Sequence, residues 1–517
     1  MDQVSILWVD DEIDLLKPHI IFLEQKGYQV DTVNNGSDAV DLVIENPYDI
    51  IFLDENMPGI SGLETLNLIK DRKPNLPVVM ITKSEEEHIM EDAIGAKISD
   101  YLIKPVNPKQ ILLSVKKNLD NNRIVSEKTT SNYQQEFRKI AMDLNDLRDY
   151  SSWVEMYKTL TRWELKLDAL SDNSMQEVLA MQKKEANSLF SRFVQKNYED
   201  WITNPDDAPV LSHRMMKEFV LPHCKEGSKP VVFIVIDNLR LDQWKLIEQD
   251  LSPLFRVKQE ETFFSILPTA THYARNALFA GLMPLEISKK YPKLWSNEND
   301  EGSKNQHEKE FLEEQLKRVG MNIKLQYHKV VQQQQGKKLV DNYKNLLQAD
   351  LSVLVFNFVD MLSHAKTEMK VIRELADDDK AYRSLTQTWF KNSALFELFQ
   401  LLAKEDVKIV VSTDHGTINV SDAIKVVGDR NTNTNLRYKT GKNLSFNEKE
   451  VYAVKNPEQI HLPKEHVSSS FIFALEDQFF AYPNNYNHYV KYYKDTFQHG
   501  GISLEEMIVP VAILEGK

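Results

Sequence analysis

Short apolar runs that stop on an acidic residue constrain this chain of 517 residues more than any other feature. The first stretch reads ILWVDDE, YQVDTVNN, DIIFLDENMPG, PVVMITK and DYLIKP, with helix-period segments between the runs. Such βα repetition predicts a parallel, doubly wound sheet with ligands gathered at the strand C-termini. From about Asn107 to Asn204 glycine is absent, and leucine, lysine, glutamate and aromatics recur at helical spacing. That texture predicts a connector of three or so helices, its apolar stripes forming core or a dimer seam rather than a cofactor pocket. The third stretch again offers apolar runs suited to a sheet covered on both faces: PVVFIVID, LSVLVFNFVD, VKIVVSTDHG and MIVPVAIL. NPDDAP reads as the exit from the connector and CKEGSKP as a hinge, while QQQQG near Gln332 and NTNTNLRYKTGKN near Asn431 read as loops. The expected architecture is α/β throughout: a (βα)5 domain over 1–118, a helical connector over 119–206 and an α/β domain over 207–517.

Composition narrows the functional classes. A net charge of −14 argues against wrapping a nucleic acid duplex, yet it leaves room for a small phosphorylated ligand where metal ions reverse the sign locally. Cys224 is the only cysteine, so no internal disulfide or thiolate zinc cluster can form, and a reducing compartment fits. The start MDQVSILWVDDE has no signal-peptide pattern and no run approaches the ~20 apolar residues of a membrane span; a cytoplasmic protein without membrane insertion is expected. No GxxxxGK[ST] loop is present to serve ATP hydrolysis.

Asp10 and Asp11 end the first run, Asp54 the third, Thr82 the fourth, and Lys104 the fifth, just before Pro105. In a doubly wound sheet these ends share one edge. Carboxylates crowded there repel unless a cation joins them, and Mg²⁺ accepts carboxylates, a carbonyl and waters. The metal and Lys104 would then neutralise a transferred phosphoryl group. Over about 118 residues DDE, DENMPG, Thr82 and KP resemble the receiver domains of two-component response regulators. The resemblance implies that Asp54 takes phosphate from a sensor histidine kinase, that Asp11, Asp54 and the Asn56 carbonyl hold Mg²⁺, and that Thr82 and Tyr101 report the event. Lys83 departs from the small residue usual beside the phosphoryl group.

Three runs of the third stretch also end in aspartate: Asp237, Asp360 and Asp414. Asp360 and His364 stand four apart, on one face of a helical turn, and His415 follows Asp414 before Gly416. Carboxylates mixed with imidazoles suit Zn²⁺ or Mn²⁺ at a hydrolytic site, and His499 in QHGGISLEEMIVP could complete the set. Six such ligands would divide between two metals ~3.5 to 4 Å apart, the spacing that clamps a phosphoryl displacement. In PTATHYARNALFAG, after Pro268, Thr271 would lie near a helix start where free N–H groups favour an oxyanion. Read alone, Thr269 and Thr271 are N-cap residues.

Together IDNLR, PTATHYARNALFAG, FVDMLSH, STDHG and HGGISLEEMIVP resemble the alkaline phosphatase superfamily, in its PglZ branch, over nearly all of the third stretch. The resemblance implies one zinc held by Asp360, His364 and His499, and a second by Asp237, Thr271, Asp414 and His415, with Thr271 also the nucleophile. A threonine with His272 rather than arginine after it is similar to the phosphodiesterase members. A receiver joined through helices to such a domain resembles the PorX type of response regulator, which implies a role in type IX secretion, zinc, and a homodimer formed on phosphorylation. The expected activity is phosphodiester cleavage of nucleotides or short oligonucleotides. The alternative is a zinc-supported docking module for a sigma factor or secretion motor. Arg437, Lys439 and Lys442 read as solvated loop residues, although they could touch a substrate phosphate.

Overall fold

The computed structural model describes residues 4–82, 98–170, 174–224, 228–376, 378–429 and 432–517. Lys83, residues 225–227 of CKEGSKP and Asn431 lie outside them. The chain divides into two compact units, Met1–Gln134 and Gln135–Lys517.

In the first unit, strands β1 (Ser5–Val9), β2 (Gln29–Val33), β3 (Ile50–Asp54), β4 (Val78–Thr82) and β5 (Asp100–Ile103) form one sheet in the order β2-β1-β3-β4-β5. Every pairing is parallel. The two-residue period of a strand explains why both faces are covered. Leu7, Val9, Ile51, Leu53, Val78 and Met80 pack with residues of helices α2 (Gly36–Glu45) and α3 (Gly62–Arg72). Their neighbours Ile6, Trp8, Ile50, Phe52, Val79 and Ile81 pack with Leu23 of α1 (Lys17–Gln25) and with Ile111 and Val115 of α4 (Pro108–Asp146). The chain leaves this unit within α4.

The second unit contains the end of α4, then α5 (Tyr150–Asp168) and α6 (Ser174–Thr203). The aromatic stripe of these helices is core: Trp153 meets Phe190 at 5.4 Å between ring centroids, and Phe190 meets Phe264 at 6.2 Å. Phe264 ends β7 (Phe255–Phe264), which joins β6 (Val231–Ile236), β8 (Leu325–Val330), β9 (Leu351–Phe356), β10 (Lys408–Ser412) and β11 (Ile508–Gly516) in the order β7-β11-β10-β6-β9-β8. The four strands β10, β6, β9 and β8 run parallel, whereas β11, the MIVPVAIL run, is antiparallel to both its neighbours. The sheet is therefore mixed. Helices α7 (Leu241–Leu251), α8 (Thr271–Ala280), α9 (Phe358–Glu368) and α10 (Asp379–Lys391) lie between its strands in the chain.

Two expected loops are corrected. QQQQG opens a helix, Gln333–Asp341, because Leu339 and Val340 bury one face and Gln335 Oε1 accepts the backbone N–H groups of Val331 and Gln332. NTNTNLRYKTGKN enters a strand, Tyr438–Gly441, paired antiparallel with Ser470–Ala474. Arg437 and Lys439 are buried there rather than solvated.

Candidate functional site

Among the described residues, three groups of side chains each bring ligand atoms within 4.8 Å of one another. The first is Asp10, Asp11 and Asp54 in the first unit, with Asp11 exposed and the other two buried. Lys104 Nζ lies 2.9 Å from Asp10 Oδ2 and 2.9 Å from Asp54 Oδ1. Burial raises the Asp54 carboxyl above its ordinary range, with Asp10 and Asp11 adding to the rise and Lys104 opposing it. Burial pulls the Lys104 ammonium down, but its pairing with Asp10 and Asp54 outweighs that and leaves it raised. Asn56 is exposed two residues past Asp54. Thr82 is buried at the end of β4, where its hydroxyl donates to the Glu55 carboxylate, a partner that nothing in the sequence singled out. Tyr101 lies on β5, beside β4, half-buried. Three acidic side chains around a space open to water form an all-oxygen donor set that fits Mg²⁺.

The other two groups lie in the second unit, at the C-terminal ends of the adjacent parallel strands β10, β6 and β9. Asp237, Asp414 and His415 form one, all buried; Asp360, His364 and His499 form the other, more open. His499 Nε2 and His364 Nε2 each stand 3.6 Å from a different oxygen of Asp360. The rings of His415 and His499 stack at 4.3 Å and so join the groups. Thr271 Oγ1 lies 3.0 Å from His415 Nε2 and 3.5 Å from Asp237 Oδ1. Thr271 is the first residue of α8 and Ala270 is its N-cap, with no side-chain capping bond; neither threonine caps the helix. Thr269 instead binds the turn that carries His499: its hydroxyl donates to the Gly501 carbonyl at 2.8 Å and accepts from Gly500 N–H at 3.0 Å.

The buried His415 ring and the half-buried His499 ring are both oriented by backbone carbonyls. Gly416 O is 3.0 Å from His415 Nδ1, and Thr269 O is 3.2 Å from His499 Nδ1. A carbonyl only accepts, so each Nδ1 carries a hydrogen and each ring turns its Nε2 edge into the site. Burial pushes the His499 pKa far down, and His415 and His364 deepen the fall. Burial pushes Asp237 up to about 6 against the pull of Arg275, and it pushes Asp360 up to about 6 with Asp237 adding to the rise. Asp414 Oδ2 is buried without a hydrogen-bond partner. Carboxylates beside imidazole nitrogens, one carboxylate oxygen lacking a hydrogen-bond donor, are a donor set that Zn²⁺ fits.

Several supporting residues escaped the sequence reading. Arg275, one turn along α8 from Thr271, is fully buried, with Nη1 2.5 Å from Asp237 Oδ2 and Nε 2.5 Å from Glu308 Oε1. Asn357 Nδ2 donates to the same Asp237 oxygen at 3.0 Å, and Asn305 Nδ2 holds the Thr271 carbonyl at 2.9 Å. Glu506 accepts Gly501 N–H at 2.9 Å and pairs with Arg437 at 2.6 Å, behind the His499 turn. Arg437 is thus spent on a carboxylate rather than free for a phosphate. His272 points elsewhere: it stacks on Trp295 at 4.9 Å, and its Nε2 meets the Ser296 carbonyl at 2.8 Å.

Three family models match this chain: the response regulator receiver domain over residues 6–116, the PorX response regulator linker domain over 123–202, and the BREX system PglZ alkaline phosphatase-like domain over 215–514. Among curated proteins, the transcriptional regulatory protein ResD of Bacillus subtilis is 36% identical over 119 residues, 22% of this chain and 49% of the relative. The response regulator SaeR of Staphylococcus epidermidis is 30% identical over 156 residues, 30% of this chain and 62% of the relative. The chain thus spans less than two thirds of the length of these relatives. A crystal structure of a CheY-like receiver domain protein from Methanospirillum hungatei is 25% identical, covering 23% of this chain and 96% of its own, with a TM-score of 0.23. That of a two-component response regulator from Clostridium difficile is 30% identical, covering 23% and 97%, with a TM-score of 0.22.

Proposed function

The chain belongs to the PglZ alkaline phosphatase-like family, in the PorX-type arrangement of receiver, linker and PglZ domain, and from that membership we propose a phosphorylation-controlled, zinc-dependent phosphodiesterase. In this reading the receiver (1–118) is phosphorylated on Asp54 by a sensor histidine kinase in the presence of Mg²⁺. The connector (119–206) relays the event, and the PglZ domain (207–517) cleaves nucleotides or short oligonucleotides. A role in type IX secretion belongs to the same proposal.

The observation that carries the reading is the Thr271 hydroxyl, 3.0 Å from a His415 nitrogen whose other ring nitrogen is already committed to a carbonyl. Two zinc ions, held by Asp237, Thr271, Asp414 and His415 and by Asp360, His364 and His499, would supply Lewis acidity and lower the pKa of the hydroxyl. The chain's own groups do the rest. Asn305 fixes the Thr271 backbone, and the hydroxyl, facing His415 Nε2 and Asp237 Oδ1, would give up its proton to solvent as its oxygen joins those two as a ligand. The threonine oxygen then attacks phosphorus in line with the departing alkoxide, and water later cleaves the threonine ester.

Turnover of bis-p-nitrophenyl phosphate tests the proposal: cleavage by the native protein, lost in Thr271→Ala while zinc is retained, supports it. Metal-loaded protein without turnover points to a second reading, a non-catalytic docking module for a sigma factor or secretion component. Exposed Met361, Met369, Val371 and Leu375, on or beside the helix of His364, favour that reading, since flexible apolar side chains suit partner surfaces.

A further inference from the structure

The second unit holds a buried network of charges that the chemistry above does not use. Arg240 is three residues past Asp237, and Arg383 lies on α10; they are 1% and 2% exposed. Arg240 donates to Asp242 at 2.9 and 2.5 Å and to Asp379 at 2.5 Å. Arg383 donates to the same Asp242 at 2.8 Å and to Glu164 and Asp168 of α5 at 2.8 and 2.5 Å. Lys183 of α6 bridges Glu164 at 2.8 Å and Glu505 at 3.3 Å. The connector is thereby tied by ions to the loop that follows β6 and to the turn that follows His499.

The second tie is the more direct. Asn187 on α6 donates to Glu505 Oε2 at 3.0 Å and accepts Leu504 N–H at 2.8 Å, and Ser191 donates to the Ile502 carbonyl at 3.3 Å. One helix face thus grips residues 502–505. Their far side rests on the cluster: Glu506 accepts Gly501 N–H through its side chain and Gly416 N–H, at 3.1 Å, through its carbonyl. The fit admits no slack, because a Cβ at Gly416 would lie 2.0 Å from the Glu505 carbonyl oxygen. Contacts of Asn187 and Ser191 with residues 502–505, and of Glu506 with Gly416 and Gly501, thus link α6 to the turns that carry His415 and His499.

Buried ion pairs are weak stabilisers compared with apolar packing, so a seam built from them favours one geometry more than it adds adhesion. A cavity of about 400 Å³, lined by Glu164, Lys183, Arg240, Asp379, Arg383 and Glu505, leaves the ionic part loosely filled. We infer that Asn187 and Arg383 are positioning residues: through Asn187 the connector sets the turns that carry His415 and His499, and through Arg383 the loop that follows Asp237. The inference rests on the diesterase reading for its consequence, though not for its geometry.

Asn187→Ala and Arg383→Met in the full chain test it, with Glu185→Ala on the exposed side of α6 as control. In Asn187→Ala, amide exchange should rise about tenfold in residues 413–417 and 499–506 while the amides of β9 keep native protection. Arg383→Met should raise exchange in 237–242 in the same way. With zinc content unchanged, kcat on bis-p-nitrophenyl phosphate should fall about tenfold in both variants with little change in KM. Glu185→Ala should match the native protein. Exchange that rises only within α6, or uniformly through the unit, would overturn the inference, as would a native kcat in either variant. A native protein without diesterase activity would defeat the proposed function alone, since the exchange pattern still decides this point.

Discussion

The hydroxyl of Thr269 accepts the backbone N–H of Gly500 at 3.0 Å, and through this contact the PTATH turn fixes where His499 stands. The same oxygen donates to Gly501, and the Thr269 carbonyl receives the His499 ring hydrogen. Thr269→Ala therefore removes the support of one candidate ligand without touching either group of ligand atoms. Such outer contacts typically change metal affinity by about 10- to 100-fold. Zinc content after dialysis should fall below two per chain, with Thr269→Ser restoring it.

Zinc binding should be strongly acid-sensitive. Asp237 and Asp360 are pushed up to about 6 by burial, so below that pH each is protonated and an entering cation must displace the proton. His499 adds no such competition, since its pKa is held far below the ordinary value and its ring is already neutral. Affinity should be lost as pH falls through 6, and calorimetry in buffers of different ionisation heat should register proton release on binding near pH 5.5 that vanishes by pH 7.5.

Arg275 neutralises Asp237 and Glu308 from a position 1% exposed. Arg275→Met leaves Asp237 buried without its arginine and Glu308 with the Lys329 cation alone, and breaking a buried pair typically costs about 3 to 5 kcal/mol. Denaturant unfolding of the metal-free protein should report that loss. Arg275→Lys should recover only part of it, because an ammonium cannot present the two-sided guanidinium fork.

In the receiver, Lys104 competes with any cation among Asp10, Asp11 and Asp54. Lys104→Met should tighten Mg²⁺ binding by about tenfold, the sign expected from removing a positive charge beside the carboxylates. Phosphorylation of Asp54 by acetyl phosphate should nevertheless slow, which a phosphate-affinity gel can follow; Asp54→Asn should show no shifted band at all.

Receiver activation should change the oligomeric state. The native protein is expected to move from monomer to dimer mass when treated with beryllofluoride, as measured by light scattering, and Asp54→Asn should stay at monomer mass. An unchanged native mass would remove the dimer from the proposal.

The sequence exposed the acidic ends of the strands because chemistry of that kind leaves a local mark: an apolar run, then a carboxylate. Asp10, Asp54, Asp237 and Asp414 could be placed at strand ends from pattern alone, and the structure sets them there, whereas Asp360, expected at the end of its run, sits in the first turn of α9 because β9 stops at Phe356. What holds them in place is non-local and left no pattern. Arg275 sits in an apolar helix where an arginine has no visible purpose until Asp237, 38 residues earlier, packs against it. Arg437 reads as a loop charge until Glu506, 69 residues later, meets it in the interior. The polyglutamine stretch misled for another reason: glutamine forms helices readily, and only burial of Leu339 and Val340 reveals which face is inside. β11 carried no sign of its direction either, since an apolar run looks the same in parallel and antiparallel pairing.

The stacked rings of His415 and His499 give the two candidate metal groups a common wall. An ion entering one group fixes an imidazole against which the other must also be built, so occupancy should be cooperative, with few chains carrying a single ion. A cell short of zinc would then hold a mixture of empty and fully charged molecules, and scarcity would set how many copies work instead of how fast each one does.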